Sequence, residues 1–194
     1  QPQPAAQSVT AGQSAAFTVT ATGTAPLSYQ WRLNGTSIPG ATTSTYTRNN
    51  AQPADAGSYS VVVTNVAGSA TSSDAILTVN VPPVITLQPS VQTVVAGQSA
   101  SFSVSAIGTA PLSYQWRLNG TPIAAATDST YTRADAQLAD AGSYSVVVTN
   151  IAGSATSSDA VLTVNVPPAI TTHPQGLTVN QGAISHYGDP MGHW

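Results

Sequence analysis

Three histidines and seven aspartates are the side chains of this 194-residue chain best suited to act as bases, acids or metal ligands. His173, His186 and His193 all lie after residue 166. A nucleophilic serine or threonine needs a neighbouring base, usually histidine. Residues 1–166 contain many serines and threonines and no histidine, so we predict that this part of the chain is not catalytic and that the protein is not an enzyme.

A metal site is conceivable at His186, Asp189 and His193, because imidazole and carboxylate groups both bind zinc. The surrounding sequence, GDPMGHW, is rich in glycine and proline and is more typical of a flexible tail. The chain contains no cysteine, which excludes disulfides and thiolate metal sites. We therefore predict no metal and no cofactor.

The recurrent aspartates could also form the carboxylate pair of a glycosidase, which requires two acids about 5–10 Å apart across a cleft. Asp55 and Asp140, however, each follow an arginine by seven residues, Arg48 and Arg133 respectively. This spacing predicts two structural ion pairs, Arg48 with Asp55 and Arg133 with Asp140, each closing one end of a folded unit.

The charge composition argues against several classes of partner. The formal net charge is −3, and all four basic residues are arginines spread along the chain. No basic stripe is available for nucleic acid or for an anionic membrane surface. No apolar run reaches the roughly 18 residues of a spanning helix, and no leader sequence is visible. We expect no nucleic-acid binding, no membrane insertion, and a mature or excised start at Gln1.

An internal repeat organises most of the chain. The segment AGQSA begins at residue 11 and again at residue 96, an offset of 85, and GTAPLSYQWRLNGT and VNVPP recur at the same offset. Within each copy, apolar and polar residues alternate, with turn residues at short intervals, which is typical of antiparallel strands. The alternation predicts that Phe17, Val19 and Ala21 face inward along one such strand. The Asn34-Gly35-Thr36 sequence matches a glycosylation site, but we interpret Asn-Gly as a hairpin turn.

Trp31 and Trp116 occupy equivalent strands of the two copies, and each copy also carries a D-x-G-x-Y sequence that ends at Tyr59 or Tyr144. With these motifs, each unit resembles an immunoglobulin-like domain of the intermediate type. It is most similar to cysteine-free bacterial versions found in tandem on secreted and surface proteins. The resemblance implies an all-β fold of two tandem antiparallel sandwiches arranged as a rod.

The same resemblance places valines where the family usually has its disulfide. The positions are Val61 with approximately Val19, and Val146 with approximately Val104. Losing a disulfide costs about 2–4 kcal/mol, and each buried valine contributes about 1.5–3 kcal/mol. The stabilisation expected from valine packing against the tryptophan is thus comparable in size to that of a disulfide. The expected core comprises Trp31, Trp116, Val19, Val61, Val104, Val146, Tyr59 and Tyr144.

The repeat also predicts the domain limits: a first domain over residues 1–81, a second over 82–166, and a segment over 167–194. The VPP sequences favour a stiff connection between units. Residues 167–174 resemble the opening strand of unit two, whereas unit one lacks that opening segment. Two hypotheses follow. The chain is a fragment of a longer array, or this segment completes the first domain of a neighbouring molecule by strand addition and so forms a fibre. The residues of this possible assembly strand are Pro167, Pro168, Ala169, Ile170 and Thr171.

These observations favour a non-catalytic spacer, display or adhesive module of an extracellular or cell-surface protein. Its expected partners are neighbouring immunoglobulin-like domains, a second copy of itself or a cell-surface glycan. The alternative is an accessory carbohydrate-binding module of a secreted polysaccharide-degrading enzyme. The aromatic residues fall at strand positions that are predicted to face the core, which argues against an exposed platform on which sugars stack. We expect a mildly polar outer face made of Gln30, Arg32, Ser60, Val62 and Thr64, and of Gln115, Arg117, Ser145, Val147 and Thr149.

Overall fold

The computed structural model describes residues 3–173, which form two similar all-β units. Alternating apolar residues and short turn sequences give strands rather than helices, and the only helical segments within residues 3–173 are two single 3-10 turns, at Pro53–Asp55 and Leu138–Asp140. Unit 1 consists of β1 (Gln7–Thr10), β2 (Ala15–Thr18), β3 (Ser28–Leu33), β4 (Thr36–Ser37), β5 (Thr45–Arg48), β6 (Gly57–Asn65), β7 (Gly68–Thr71) and β8 (Ala75–Asn80). Unit 2 consists of β9 (Val84–Leu87), β10 (Gln92–Val95), β11 (Ala100–Ser103), β12 (Ser105–Ile107), β13 (Ser113–Leu118), β14 (Thr121–Pro122), β15 (Thr130–Arg133), β16 (Gly142–Asn150), β17 (Gly153–Thr156) and β18 (Ala160–Asn165).

Each unit is a sandwich of a large and a small sheet. In unit 1 the large sheet has the order β1-β8-β6-β3-β4, with β7 also paired to the long strand β6. Its edge strand β1 runs parallel to β8, and the other pairs are antiparallel. The small sheet pairs β2 with β5. Unit 2 repeats this arrangement with β10-β18-β16-β13-β14 and β11-β15. The predicted architecture of two immunoglobulin-like sandwiches is therefore confirmed.

The core of each unit lies between its two sheets. Trp31 and Tyr59 from the large sheet meet Phe17 from the small sheet, and each of the three is at most 1% exposed. The rings of Phe17 and Tyr59 stack with centroids 4.6 Å apart. Unit 2 repeats this stack with Phe102 and Tyr144, also at 4.6 Å. The side chains inside are those that strand alternation points inward.

Among the described residues, unit 2 has two strands that unit 1 lacks, β9 and β12. β9 of unit 2 pairs antiparallel with β12, with a register irregularity between Ser105 and Ala106. The counterparts of β12 in unit 1 are residues 20–22, and they have no strand assignment. The predicted inward strand through Ala21 is therefore wrong in its last part: β2 ends at Thr18, and Ala21 is only half-buried. In unit 2 the equivalent residues form a strand because they pair with β9.

The connection between the units is short. β8 ends at Asn80 and β9 begins at Val84. At the other end, residues 166–173 belong to no strand and are exposed. Within residues 3–173, no helix has the length and apolar character needed to cross a bilayer.

Candidate functional site

The part of the chain that the structure describes offers no metal-binding cluster. No group of three histidine, cysteine, aspartate or glutamate side chains lies together among residues 3–173. His173 is exposed. The candidate metal ligands His186, Asp189 and His193 lie outside the described residues. The arrangements left for consideration are the packed core, the corner with its ion pair, the outer sheet face and an open groove.

The residues expected at the disulfide positions lie together in each core. Val19 and Val61 belong to one apolar cluster with Trp31, and Val61 and Trp31 are both fully buried. The indole Nε1 of Trp31 donates to the carbonyl oxygen of Thr43 at 2.9 Å, so its polar atom is paired as well. In unit 2, Val104 and Val146 pack with Trp116, whose Nε1 donates to the backbone carbonyl oxygen of Asp128. The chemistry of this region is packing alone.

The corner after the 3-10 turn is held by a tyrosine. The hydroxyl of Tyr59 donates to the backbone carbonyl oxygen of Asp55 at 2.8 Å, and Tyr144 donates to Asp140 at the same distance. The pKa of each of these tyrosines is raised to about 12, mainly by burial and also by the neighbouring tyrosine and aspartate, against a smaller opposing effect of the arginine. A neutral, hydrogen-bonded phenol is thus favoured in the folded state.

Each corner also carries an ion pair. Arg48 Nη2 lies 2.9 Å from Asp55 Oδ1, and Arg133 Nε lies 2.9 Å from Asp140 Oδ1. Burial alone would raise the pKa of Asp55, but the backbone N–H of Gln52 and the Arg48 guanidinium outweigh it and lower that pKa. The Gln52 N–H donates to Asp55 Oδ2 at 2.8 Å. Since both carboxylate oxygens are engaged, this group is structural rather than free to act as an acid or base.

The outer face of the large sheet differs from the predicted one at one position. Ser60 and its counterpart Ser145 are each only 7% exposed, so these two positions of the predicted outer face are covered. Each serine lies on the central strand directly opposite an arginine, Arg32 or Arg117, in the strand register. A small side chain beside a long one on the same face is readily covered.

The Asn-Gly pair forms the hairpin turn between β3 and β4. Asn34 has a φ of 49° and Gly35 a φ of 79°, the left-handed values that such a turn requires. The Asn34 side-chain oxygen also accepts a hydrogen bond from the Ser58 N–H at 2.9 Å. This side chain therefore ties the turn to β6.

An open groove lies in unit 1 where β9 lies in unit 2. Its volume is about 460 Å³, and its lining includes Thr20–Thr22 on the side of the small sheet, Val63 and residues 67–72. We call it the unit 1 groove. In unit 2, β9 pairs with β12 and also contacts β17 in the corresponding space.

Comparison of equivalent residues shows that β9 covers this surface in unit 2. Val148 is fully buried, whereas its counterpart Val63 is only half-buried. Three further pairs differ in the same direction, from more exposed in unit 1 to more buried in unit 2: Ala67 and Ala152, Ala70 and Ala155, and Ser72 and Ser157. The unit 1 groove is thus more exposed than the equivalent surface of unit 2, which β9 covers.

The sequence did not predict the residues that hold the linker just before β9, where it reaches this surface. In unit 2 the side-chain amide of Asn150 donates to the carbonyl oxygens of Val81 and Thr109, at 2.8 and 2.9 Å. The Thr109 N–H donates to Val81 O, and the Val81 N–H donates to Thr109 Oγ1. The sequence feature that could have identified them is the asparagine that ends VVVTN in both copies of the repeat. Its unit 1 member, Asn65, donates to the carbonyl oxygen of Thr24.

Comparisons with known proteins agree with this architecture. A family model described as "Immunoglobulin domain" matches residues 1–65 and 82–150. Muscle M-line assembly protein unc-89 of Caenorhabditis elegans is 38% identical over 178 residues, covering 80% of this chain and 2% of that protein. Endoglucanase C of Cellulomonas fimi is 33% identical over 175 residues, covering 85% of this chain and 16% of that enzyme. The chain therefore spans only a small part of these curated relatives.

A solved structure gives the same result at the level of the fold. The I-band fragment I67-I69 from titin superposes with a TM-score of 0.72 at 25% identity, covering 85% of this chain and 64% of the fragment. Successive sandwiches in that fragment therefore match the two units described above.

Proposed function

Because the chain belongs to the immunoglobulin domain family, we propose that it is a non-catalytic structural or adhesive module that spaces or displays other parts of an extracellular or cell-surface protein. The observation that carries this proposal is the clamp at the junction. Both backbone polar groups of Val81, its N–H and its carbonyl, are hydrogen-bonded to unit 2 by Thr109 and Asn150. A linker held in this way transmits orientation from one unit to the next, as a spacer requires.

The domain limits that we propose are residues 1–81, 82–166 and 167–194. The matched stretches of the family model fall within the first two. The two prolines after Val81 add stiffness, because proline fixes φ. Pro83 is buried, so the connection is also packed. Together these features favour a rod of two units.

The proposal includes an intermediate-set type of domain and a bacterial source. The parallel pairing of β1 with β8 and the short strand β4 beyond β3 support the first. The likeness to a bacterial endoglucanase supports the second. An extracellular or cell-surface location is part of the same proposal, and the resemblance of each unit to immunoglobulin-like domains of secreted and surface proteins supports it. The absence of cysteine means that folding does not depend on the redox state of the compartment.

A spin-label distance tests the spacer function. Thr47 and Thr132 are exposed, equivalent strand positions in the two units, and the chain has no cysteine to interfere. Labels placed through the double variant T47C/T132C should give a single narrow distance distribution by double electron–electron resonance. A distribution as broad as that of a flexible tether would refute a spacing role.

The second candidate function is an accessory carbohydrate-binding module, which the likeness to endoglucanase C favours. The rings of Phe17, Trp31 and Tyr59 are buried and unavailable for stacking on a sugar. Depletion of the chain from suspensions of cellulose, chitin and xylan distinguishes the two candidates. We expect no depletion, whereas saturable binding to any of these polysaccharides would favour the module of a degrading enzyme.

A further inference from the structure

We propose that two copies of this chain associate side by side through the outer face of the large sheet, where an arginine and an aspartate flank a central serine. In unit 1 these residues are Arg32, Asp74 and Ser60, and we call the surface that they form the Arg–Asp face. The inference rests on the proposed structural or adhesive function and names a second copy of the chain as its partner.

The Arg–Asp face carries the charged side chains of unit 1 that the corner does not use. Residues 1–81 contain two arginines and two aspartates. Arg48 and Asp55 form the corner ion pair. Arg32 is half-buried and Asp74 is exposed, and no ion pair within residues 3–173 includes either of them. One positive and one negative charge are therefore available on the same face.

The strand register places these two charges on opposite sides of the central strand β6. Arg32 on β3 lies directly opposite Ser60 on β6. On the other side of β6, Tyr59 pairs with Ala75, and both are buried. Asp74 precedes Ala75 and is exposed, so it lies beside Ser60. Adjacent strands are about 4.8 Å apart, which separates the two charged residues by about 10 Å across the sheet.

A two-fold axis parallel to β6 makes this face complementary to itself. Rotation about such an axis, placed between two faces, exchanges left and right across the sheet and keeps the strand direction. Arg32 of each copy then faces Asp74 of the other, which gives two equivalent ion pairs. A two-fold axis across the strands would instead bring like charges together, at a cost in free energy. The charges therefore select one isologous arrangement, in which both β6 strands run in the same direction.

Unit 2 repeats the Arg–Asp face with Arg117, Ser145 and Asp159. The side-chain Nε of Arg32 and that of Arg117 are both covered and have no hydrogen-bond partner in the described structure. A carboxylate that accepts from Nε and from a terminal nitrogen of the same guanidinium would supply that partner. The chain thus carries the same contact twice, and engagement of both units strengthens a side-by-side pair.

The size of the face predicts weak association. Five strands of about six residues cover roughly 20 Å by 20 Å, or about 400 Å² on each copy. One pair of faces then buries about 800 Å² in total, below the roughly 1,200 Å² of stable complexes. Ser60 is 7% exposed and Ile76 is 50% exposed, so the centre is low and one side of the face offers apolar surface. Such a contact suits copies that are displayed close together on one surface.

Charge reversal tests the contact in the 194-residue chain, by sedimentation velocity over a concentration series at low and high salt. R32D/R117D leaves only acidic side chains at the four flanking positions, and D74R/D159R leaves only basic ones. Circular dichroism of each variant checks that the fold is kept.

We expect the unmodified chain to associate weakly, and less at high salt, because ions screen exposed charges. Each variant alone should associate about tenfold more weakly or less, because the contact then opposes like charges. An equal mixture of R32D/R117D with D74R/D159R should associate again, since every acidic position then faces a basic one. Recovery in the mixture also shows that neither variant had lost its fold.

A second mixture controls for general attraction between oppositely charged chains. D128R/D135R also turns two aspartates into arginines, at exposed positions on either side of β15 and outside the Arg–Asp face. Its mixture with R32D/R117D still opposes like charges at half of the contacts. This control mixture should associate about tenfold more weakly than the complementary mixture.

The proposal is overturned if the unmodified chain stays monomeric at millimolar concentration, or if the charge-reversed variants associate as the unmodified chain does. It is also overturned if the complementary mixture associates no more than the control mixture. None of these measurements reports on the junction between the units. A failure here therefore leaves the spacer function to its own spin-label test.

Discussion

Trp31 on β3 and Val61 on β6 lie side by side as paired residues of adjacent strands, and neither is exposed to solvent. Val61 stands where the resemblance places a disulfide cysteine. The indole and the valine are joined by Val19 in the same apolar cluster. We expect dispersion contacts and the removal of apolar surface from water to supply in this core the stability that the resemblance would assign to a disulfide.

Truncation of Val61 tests this account. V61A is expected to lower the free energy of unfolding of unit 1 by about 2 kcal/mol, because it removes two buried methyl groups and leaves a cavity. Thermal denaturation measures the change, with unit 2 as an internal reference. V66A, at a position that is 89% exposed, should change stability by no more than about 0.5 kcal/mol. Equal effects of the two variants would contradict the role of Val61.

The tyrosine corner predicts a second loss. Y59F removes the donor to the carbonyl oxygen of Asp55 and should cost unit 1 about 1–2 kcal/mol, because the acceptor is left without that partner. Chemical denaturation of Y59F beside Y144F should show the loss in the altered unit only. Y29F removes a hydroxyl from a half-buried tyrosine on β3, and it serves as the control. A loss as large in Y29F would show that the effect is not specific to the corner.

The corner aspartates predict acid sensitivity. The folded-state pKa of Asp55 and of Asp140 is lowered, so their contribution to stability is complete above the unfolded value of about 4. It is lost as the pH falls through the folded-state pKa. Unfolding free energies measured from neutral to acid pH should decline less steeply in D55N/D140N than in the unmodified chain. The exposed pair D74N/D159N is the control, and a matching change there would count against the prediction.

The corner tyrosines predict that the fold also loses stability at alkaline pH. Tyr59 and Tyr144 have a folded-state pKa of about 12, against an unfolded value of about 10. Their neutral forms stabilise the fold fully below the unfolded pKa, and this contribution is lost as the pH rises toward the folded one. Tyrosinate absorbance and circular dichroism, followed together, should show the last ionisations coinciding with unfolding. Ionisation of every tyrosine near pH 10 in a folded chain would contradict this.

The junction clamp predicts a difference between two equivalent asparagines. N150A removes the hydrogen bonds to Val81 and Thr109 and should broaden the distance distribution between labels at positions 47 and 132. N65A makes the same change in unit 1, where no linker segment is held among the described residues, and should leave the distribution narrow. Equal broadening in both variants would place the source of rigidity elsewhere.

Much of the fold was predictable because it follows from local pattern. Alternation identifies inward residues such as Phe17 and Trp31, and Asn34-Gly35 has the backbone preferences of a tight hairpin. The prediction failed where a residue's environment depends on another strand. Ser60 alternates as an outer residue but is covered beside Arg32, and Ala21 alternates as an inner residue but lies beyond the end of β2 and is only half-buried.

The sequence by itself determined the repeat, the sandwich class and the side chains that fill each core, because side-chain direction along a strand has a period of two residues whatever lies nearby. Only the tertiary structure decided that Asn150 holds the linker by hydrogen bonds and that Val63 is half-buried whereas its counterpart Val148 is fully buried. These features depend on which distant segments pair, and the same residue types stand at both positions of the repeat. Near-identical units therefore differ in exposure because one has a strand that the described part of the other does not.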